Sequence, residues 1–142
     1  IPVSHDAHNP VGFIIEEDDE KLVFITDTGM ILPETEKYIK NATYYVFESN
    51  HDLKMLRQTN RPACLKLRIA SDIGHLSNED SAHYMAKFIG DKTKTIILAH
   101  ISLEANTPEL ALKAYKKVFQ KYNIDLDKID LRCSSQFEIV RV

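Results

Sequence analysis

Apolar residues open the chain in two short runs, residues 11–16 and 22–26, separated by the acidic turn Glu16-Glu17-Asp18-Asp19-Glu20. The pair predicts a β-hairpin. Pro33, suited to a first helical turn, predicts a short helix reaching Lys40. The aromatic and β-branched stretch Thr43-Tyr44-Tyr45-Val46-Phe47 predicts a buried strand. A helix over 51–58 follows, ended before Arg61-Pro62. Residues 63–76 fit neither period cleanly: Leu65, Leu67 and Ile69 alternate with Lys66 and Arg68 until Gly74 breaks the pattern. Ser77, with Asp80 three positions on, predicts an N-cap. The helix behind it buries Ala82, Met85, Ala86 and Ile89 and stops at Gly90. Residues 95–99 form a central strand. Thr107-Pro108 starts the longest helix, striped with Leu110, Ala111, Ala114, Val118 and Phe119 as far as Tyr122. Residues 137–142 close the chain as a last strand.

Strands alternating with helices give an α/β layer arrangement. Helices on one side of five or six strands leave the other sheet face apolar and in need of cover. With 142 residues, four glycines and five prolines, the chain has the size and composition of one ordered domain, without repeats or a linker. No apolar run approaches the roughly 18 residues of a membrane span, so a cytoplasmic protein with no membrane contact is expected. Cys64 and Cys133 sit in no C-x-x-C pair and are expected to be buried thiols. A net charge of −3 weighs against binding nucleic acid through bulk electrostatics. Lys66 and Arg68, just before Gly74-His75, could still form a local basic patch.

Polar residues gather where strands end. Asp27 follows the second strand, Glu48, Asn50 and His51 follow the third, and His100 follows the central one; Ser4-His5-Asp6 precedes the first. In open α/β sheets, ligands bind beyond the carboxyl ends of strands. Imidazole together with carboxylate suits Zn²⁺, Mn²⁺ or Fe, and an Asp can bridge two ions. The same residues also suit ordinary turns and caps, Asp27-Thr28-Gly29 above all, so composition and spacing leave both readings open.

Ser4-His5-Asp6-Ala7, Pro10-Val11-Gly12-Phe13, Ile25-Thr26-Asp27-Thr28-Gly29, Glu48-Ser49-Asn50-His51-Asp52, Gly74-His75-Leu76-Ser77-Asn78 and Leu98-Ala99-His100-Ile101-Ser102-Leu103-Glu104 follow one another in order. Together they resemble the YycJ/WalJ group of metallo-β-lactamase-fold hydrolases, relatives of ribonuclease Z and of the phosphodiesterase PhnP. The resemblance implies the C-terminal half of a four-layer αββα sandwich, with residues 1–142 forming half of one metallo-hydrolase domain. It makes His5 and His100 metal ligands and Asp27 the carboxylate bridging two divalent ions, Zn or Mn. His75 is similar to the histidine that protonates the leaving group, with Glu48 as its acidic partner, and Asn50 and His51 would contact substrate. His8 and His83 are assigned no role.

Two departures from that group shape the expectations. The leading His-x-His-x-Asp-His motif is absent, and the chain begins with Ile1 at the third histidine. A parent about twice as long is therefore expected, with the missing N-terminal half as partner, or a copy of the chain in its place. The implied activity of the parent is exonucleolytic hydrolysis of DNA, with a smaller phosphodiester or a non-catalytic scaffold as alternatives; this chain alone is expected to be inactive. A lesser departure is Ala105, where the group usually has Asn.

Overall fold

The computed structural model describes residues 1–135, so the strand expected at 137–142 lies outside the described residues. Five strands form one sheet in the order β1-β2-β3-β4-β5: β1 (Phe13–Glu17), β2 (Glu20–Ile25), β3 (Tyr44–Glu48), β4 (Thr95–Ala99) and β5 (Asp130–Cys133). The hairpin partner β1 runs antiparallel to β2, and the remaining neighbours are parallel. The crossovers carry α1 (Glu36–Ile39), then α2 (Leu53–Gln58), α3 (Ala63–Ile69) and α4 (Asn78–Phe88), then α5 (Pro108–Lys121) with a 3₁₀ turn at Leu126–Lys128.

Because side chains alternate across a strand, register sorts them into two faces. Ile25, Phe47, Leu98 and Cys133 are register partners on one face. That face packs against Ala82, Met85 and Phe88 of α4 and Tyr115, Val118 and Phe119 of α5, all fully buried. Tyr45 sits in the same layer without an orphaned hydroxyl, since it donates to the Ile39 carbonyl at 2.8 Å and accepts from Ala42 N–H at 3.0 Å. The opposite face carries the row Phe13, Phe24, Val46, Ile97. Its β1–β2 end lies open to solvent, with Phe13 at 57% and Ile15 at 58% exposure. That is the uncovered apolar face the sequence pattern called for.

Three expectations need correction, and one unassigned stretch is resolved. Residues 63–69 are helical, with Ile69 buried and Leu65, four positions earlier, half-buried against it, while Leu67 is 74% exposed. The short helix starts at Glu36 rather than at Pro33, behind a turn in which Thr35 bonds back to Leu32. The helix expected from His51 starts at Leu53, capped by Asp52, whose carboxylate accepts from Met55 N–H at 2.8 Å. Cys64 is exposed and Cys133 half-buried, so the thiols are free but not core residues.

Candidate metal centre

Each chemical side chain is aimed by a local backbone device. Asp27 and His100 stand just past β2 and β4 in the left-handed region, both with φ of 56°. Asp and His are among the few side chains that tolerate it, and such outliers gather at functional sites. His5 is anchored on both sides: Ser4 N–H donates to Thr28 Oγ1 at 3.1 Å, and Asp6 N–H to the Ile73 carbonyl at 3.2 Å. Its own Nδ1 lies 3.0 Å from the Gly74 carbonyl. A carbonyl only accepts, so Nδ1 carries the proton and Nε2 keeps a lone pair, 3.9 Å from Asp27 Oδ1. Gly74 is required for close approach: a Cβ there would stand 2.1 Å from the Arg68 carbonyl oxygen.

Glu48, fully buried at the end of β3, organises the rest. Its Oε2 accepts Thr28 N–H at 2.8 Å, and its Oε1 meets Nδ1 of His75 at 2.8 Å and Nδ1 of His100 at 2.7 Å. Burial pushes its carboxyl up, but the hydrogen bonds from His100, His75 and Thr28 outweigh burial and hold it below the usual carboxylate range. An ionised carboxylate accepts only, so both imidazoles present Nδ1–H to it and keep Nε2 free. The bond to Glu48 raises the His100 pKa above the ordinary value against the opposing effect of burial. Ring centroids lie 5.0 Å apart for His5 and His75 and 5.1 Å apart for His75 and His100, with Asp27 Oδ1 3.7 Å from His100 Nδ1. The structure thus brings His5, Asp27, Glu48, His75 and His100 to one spot. Two overlapping trios, His5-Asp27-His75 and Glu48-His75-His100, place ligand atoms within 4.8 Å of one another.

Asn50 and His51, expected to contact substrate, are both largely buried, although Asn50 borders the cleft at His75 and His100 and His51 borders the one on the other side of His75. The Asn50 amide donates to the His100 carbonyl at 2.9 Å, while its own carbonyl accepts Ser102 N–H, so it clamps the strained turn. His51 is 1% exposed and neither ring nitrogen reaches a protein partner. Burial, reinforced by the charge of His75, pushes its pKa down to about 4, and Glu48, Asp80 and Asp52 offset only part of that. The folded value lies below the unfolded 6.5, so the unfolded chain binds the extra proton between them. Stability is therefore full above pH 6.5 and falls as acidification approaches pH 4, by about 3 kcal/mol from this group. In urea titrations of the metal-free chain, His51→Gln should flatten that acid limb; an unchanged slope would contradict the assignment.

Sequence reasoning missed a second layer of buried polar residues. Asn78 and Asn106 bond each other's amides at 2.8 Å, Ser49 Oγ donates to Asn78 Oδ1 at 2.7 Å, and Asn106 Oδ1 accepts the N–H of Thr107, the residue that caps α5. Their signal was present in the Ser77-Asn78 and Ala105-Asn106 motifs, but only the fold shows that they tie β3, α4 and α5 together. Ala105 is buried at 1% beside Leu56 and Ile69, where a methyl group fits. His8 stays outside the cluster, and His83 lies on α4 with its Nδ1 3.3 Å from the Tyr122 hydroxyl.

A mostly parallel sheet with helices on one face, histidines and an aspartate at its strand ends, and an apolar second face defines the metallo-β-lactamase fold class. A solved metallo-β-lactamase-fold protein, YhfI from Bacillus subtilis, superposes with a TM-score of 0.65 at 12% identity, over 95% of this chain and 45% of that one. No protein-family model matches the chain. In sequence it is similar to two exodeoxyribonucleases of the YycJ/WalJ group. It is 46% identical over 119 residues to exodeoxyribonuclease YycJ of Bacillus anthracis, covering 84% of this chain and 45% of that protein. It is 45% identical over 109 residues to exodeoxyribonuclease WalJ of Streptococcus pneumoniae, covering 77% and 40%. The chain thus spans less than half the length of these relatives. Among the described residues, no helix is long and apolar enough to cross a membrane.

Proposed function

We infer that the chain is the C-terminal half of a metal-dependent phosphodiester hydrolase, an exonuclease acting on DNA in the cytoplasm. The convergence of His5, Asp27, His75 and His100 around one buried carboxylate carries this reading. The donor set fits divalent ions: His5 has its Nε2 lone pair free through the bond to Gly74, and His100 through the bond to Glu48. His5 and His100 would each hold one ion, and Asp27, 48% exposed between them, would reach both. Such ions supply Lewis acidity toward a phosphodiester and lower the pKa of water. The chain's own residues do the rest. Glu48 fixes the imidazole tautomers, Asn50 fixes the His100 turn, and His75 holds a proton for the departing oxygen.

Three ligand residues are too few for two catalytic ions, each of which needs about four ligands, water included. The remaining ligands would come from a second half whose sheet covers Phe13, Ile15 and Phe24. Assembled domain here means this chain reunited with the portion of the Bacillus anthracis relative that it does not match. The assembled domain should hydrolyse a phosphodiester with Mn²⁺ or Zn²⁺ and lose activity to a chelator. This chain alone should show no turnover and should self-associate through the open face. Robust chelator-sensitive hydrolysis by the 142-residue chain alone would overturn the ligand set. A small phosphodiester is the second reading, favoured by the net charge of −3.

A further inference from the structure

The net negative charge conceals an uneven distribution. Residues 53–69, spanning α2, the Arg61-Pro62 turn and α3, hold five of the chain's 18 basic residues and none of its 21 acidic ones. The five are Lys54, Arg57, Arg61, Lys66 and Arg68. This segment forms one wall of a cleft of 280 Å³ whose floor carries His75 and His100, with Arg61 and Arg68 on its lining. On the other side of His75, a 460 Å³ cleft carries Asp72 and Asp80 against one lysine, Lys87. A polyanion leaving the catalytic cluster therefore meets more positive charge on the arginine side than on the other.

Both arginines are paired in a replaceable way. Arg61 Nε lies 3.0 Å from Oε2 of Glu104, which is 64% exposed. Arg68 grips Asp6 with Nε and Nη2, one nitrogen to each carboxylate oxygen. The single exposed contact to Glu104 contributes little net stability, so a phosphate can replace it at small cost, whereas at Arg68 a phosphate would have to match the two-point grip on Asp6. The planar guanidinium fork fits a phosphate as well as it fits a carboxylate. Leu65, Ile101 and Leu103 give the same cleft an apolar side, Leu103 being 72% exposed, and no Phe, Tyr or Trp is among its lining residues. Such a surface suits sugar edges and backbone phosphates more than a stacked run of bases.

We propose that the α2–α3 segment is the track for a nucleic-acid strand, with Arg61 and Arg68 gripping backbone phosphates flanking the one at the histidine cluster. The proposal rests on the phosphodiester reading of that cluster and deepens it: the substrate is a polymer held by its backbone, without regard to sequence. Phosphate contacts release counterions, so each one lost from a single strand makes the plot of log K against log salt shallower by about 0.7.

The test uses the metal-free 142-residue chain, in chelator, with a fluorescent single-stranded oligonucleotide titrated over a salt series. The chain binds at low salt, and Arg61→Ala/Arg68→Ala weakens binding at least about tenfold and reduces the slope by about 1.4. Lys116→Ala/Lys121→Ala, an equal charge change on exposed α5 positions, leaves both near wild type. No binding at low salt, or equal losses in the two double variants, overturns the track. Activity separates this from the reading beneath it. In the assembled domain, the arginine variant raises KM for an oligonucleotide and spares bis-(p-nitrophenyl) phosphate. Equal loss on both substrates would put the arginines at the reacting phosphate and overturn the track. A wild-type domain that binds strands through these arginines and cleaves neither substrate would sink the hydrolase reading alone.

Discussion

In the assembled domain, His75→Ala is expected to leave metal content near wild type while lowering kcat by about 10²–10⁴-fold, the range for a lost general acid. The expectation follows from where His75 sits. Its Nδ1 is taken by Glu48, and it stands between His5 and His100 with ring centroids about equally far from each. It also lies just ahead of α4. The buried Glu48 carboxylate accepts from its Nδ1 at 2.8 Å, so Nε2 is the ring atom left for proton transfer. A nitrophenolate leaving group needs no proton, so the variant should lose far less rate on a nitrophenyl ester than on an alkoxide-leaving substrate. Loss of one metal equivalent, or equal losses on the two substrates, would make His75 a ligand or a structural residue instead.

The second large effect is expected from Glu48→Gln, nearly isosteric and so informative about charge and tautomer. Thr28 N–H needs an acceptor, so the amide oxygen stays where Oε2 was. The amide N–H₂ then faces the two imidazole Nδ1 atoms that Oε1 met before. Donor would meet donor unless both rings shift their proton to Nε2, and a protonated Nε2 cannot bind metal. Disturbing such a supporting carboxylate typically costs 10–100-fold in metal affinity or activity, roughly the loss expected here. Ring ¹⁵N shifts should report the tautomer change in His75 and His100 while His8 and His83 stay unmoved. Unaltered ring shifts together with wild-type metal affinity would remove Glu48 from its organising position.

The convergence of the cluster was legible because strand ends are legible. Tyr44–Glu48 and Thr95–Ala99 announce themselves as parallel, buried strands, and residues placed just past parallel strands share one edge of the sheet. The leucine and basic alternation of 63–69 left that stretch unassigned because its seven residues are too few to separate a period of two from one of 3.6. The strand Asp130–Cys133 went unread because a four-residue run with two charges has little β signal of its own. It is defined by pairing with β4, a tertiary fact. Burial was less legible: only the packed structure shows the Asn50 amide committed to the His100 carbonyl and the His51 ring almost wholly buried.

The most direct measurement on the account as a whole is the metal content of the assembled domain and three variants, by elemental analysis after equilibration with Mn²⁺ or Zn²⁺. Two equivalents are predicted for the wild type. His5→Ala and His100→Ala should each retain about one, from opposite sides of the pair, and Asp27→Ala should retain neither tightly, because that carboxylate serves both. Two tightly held equivalents in all three variants would contradict the metal centre outright.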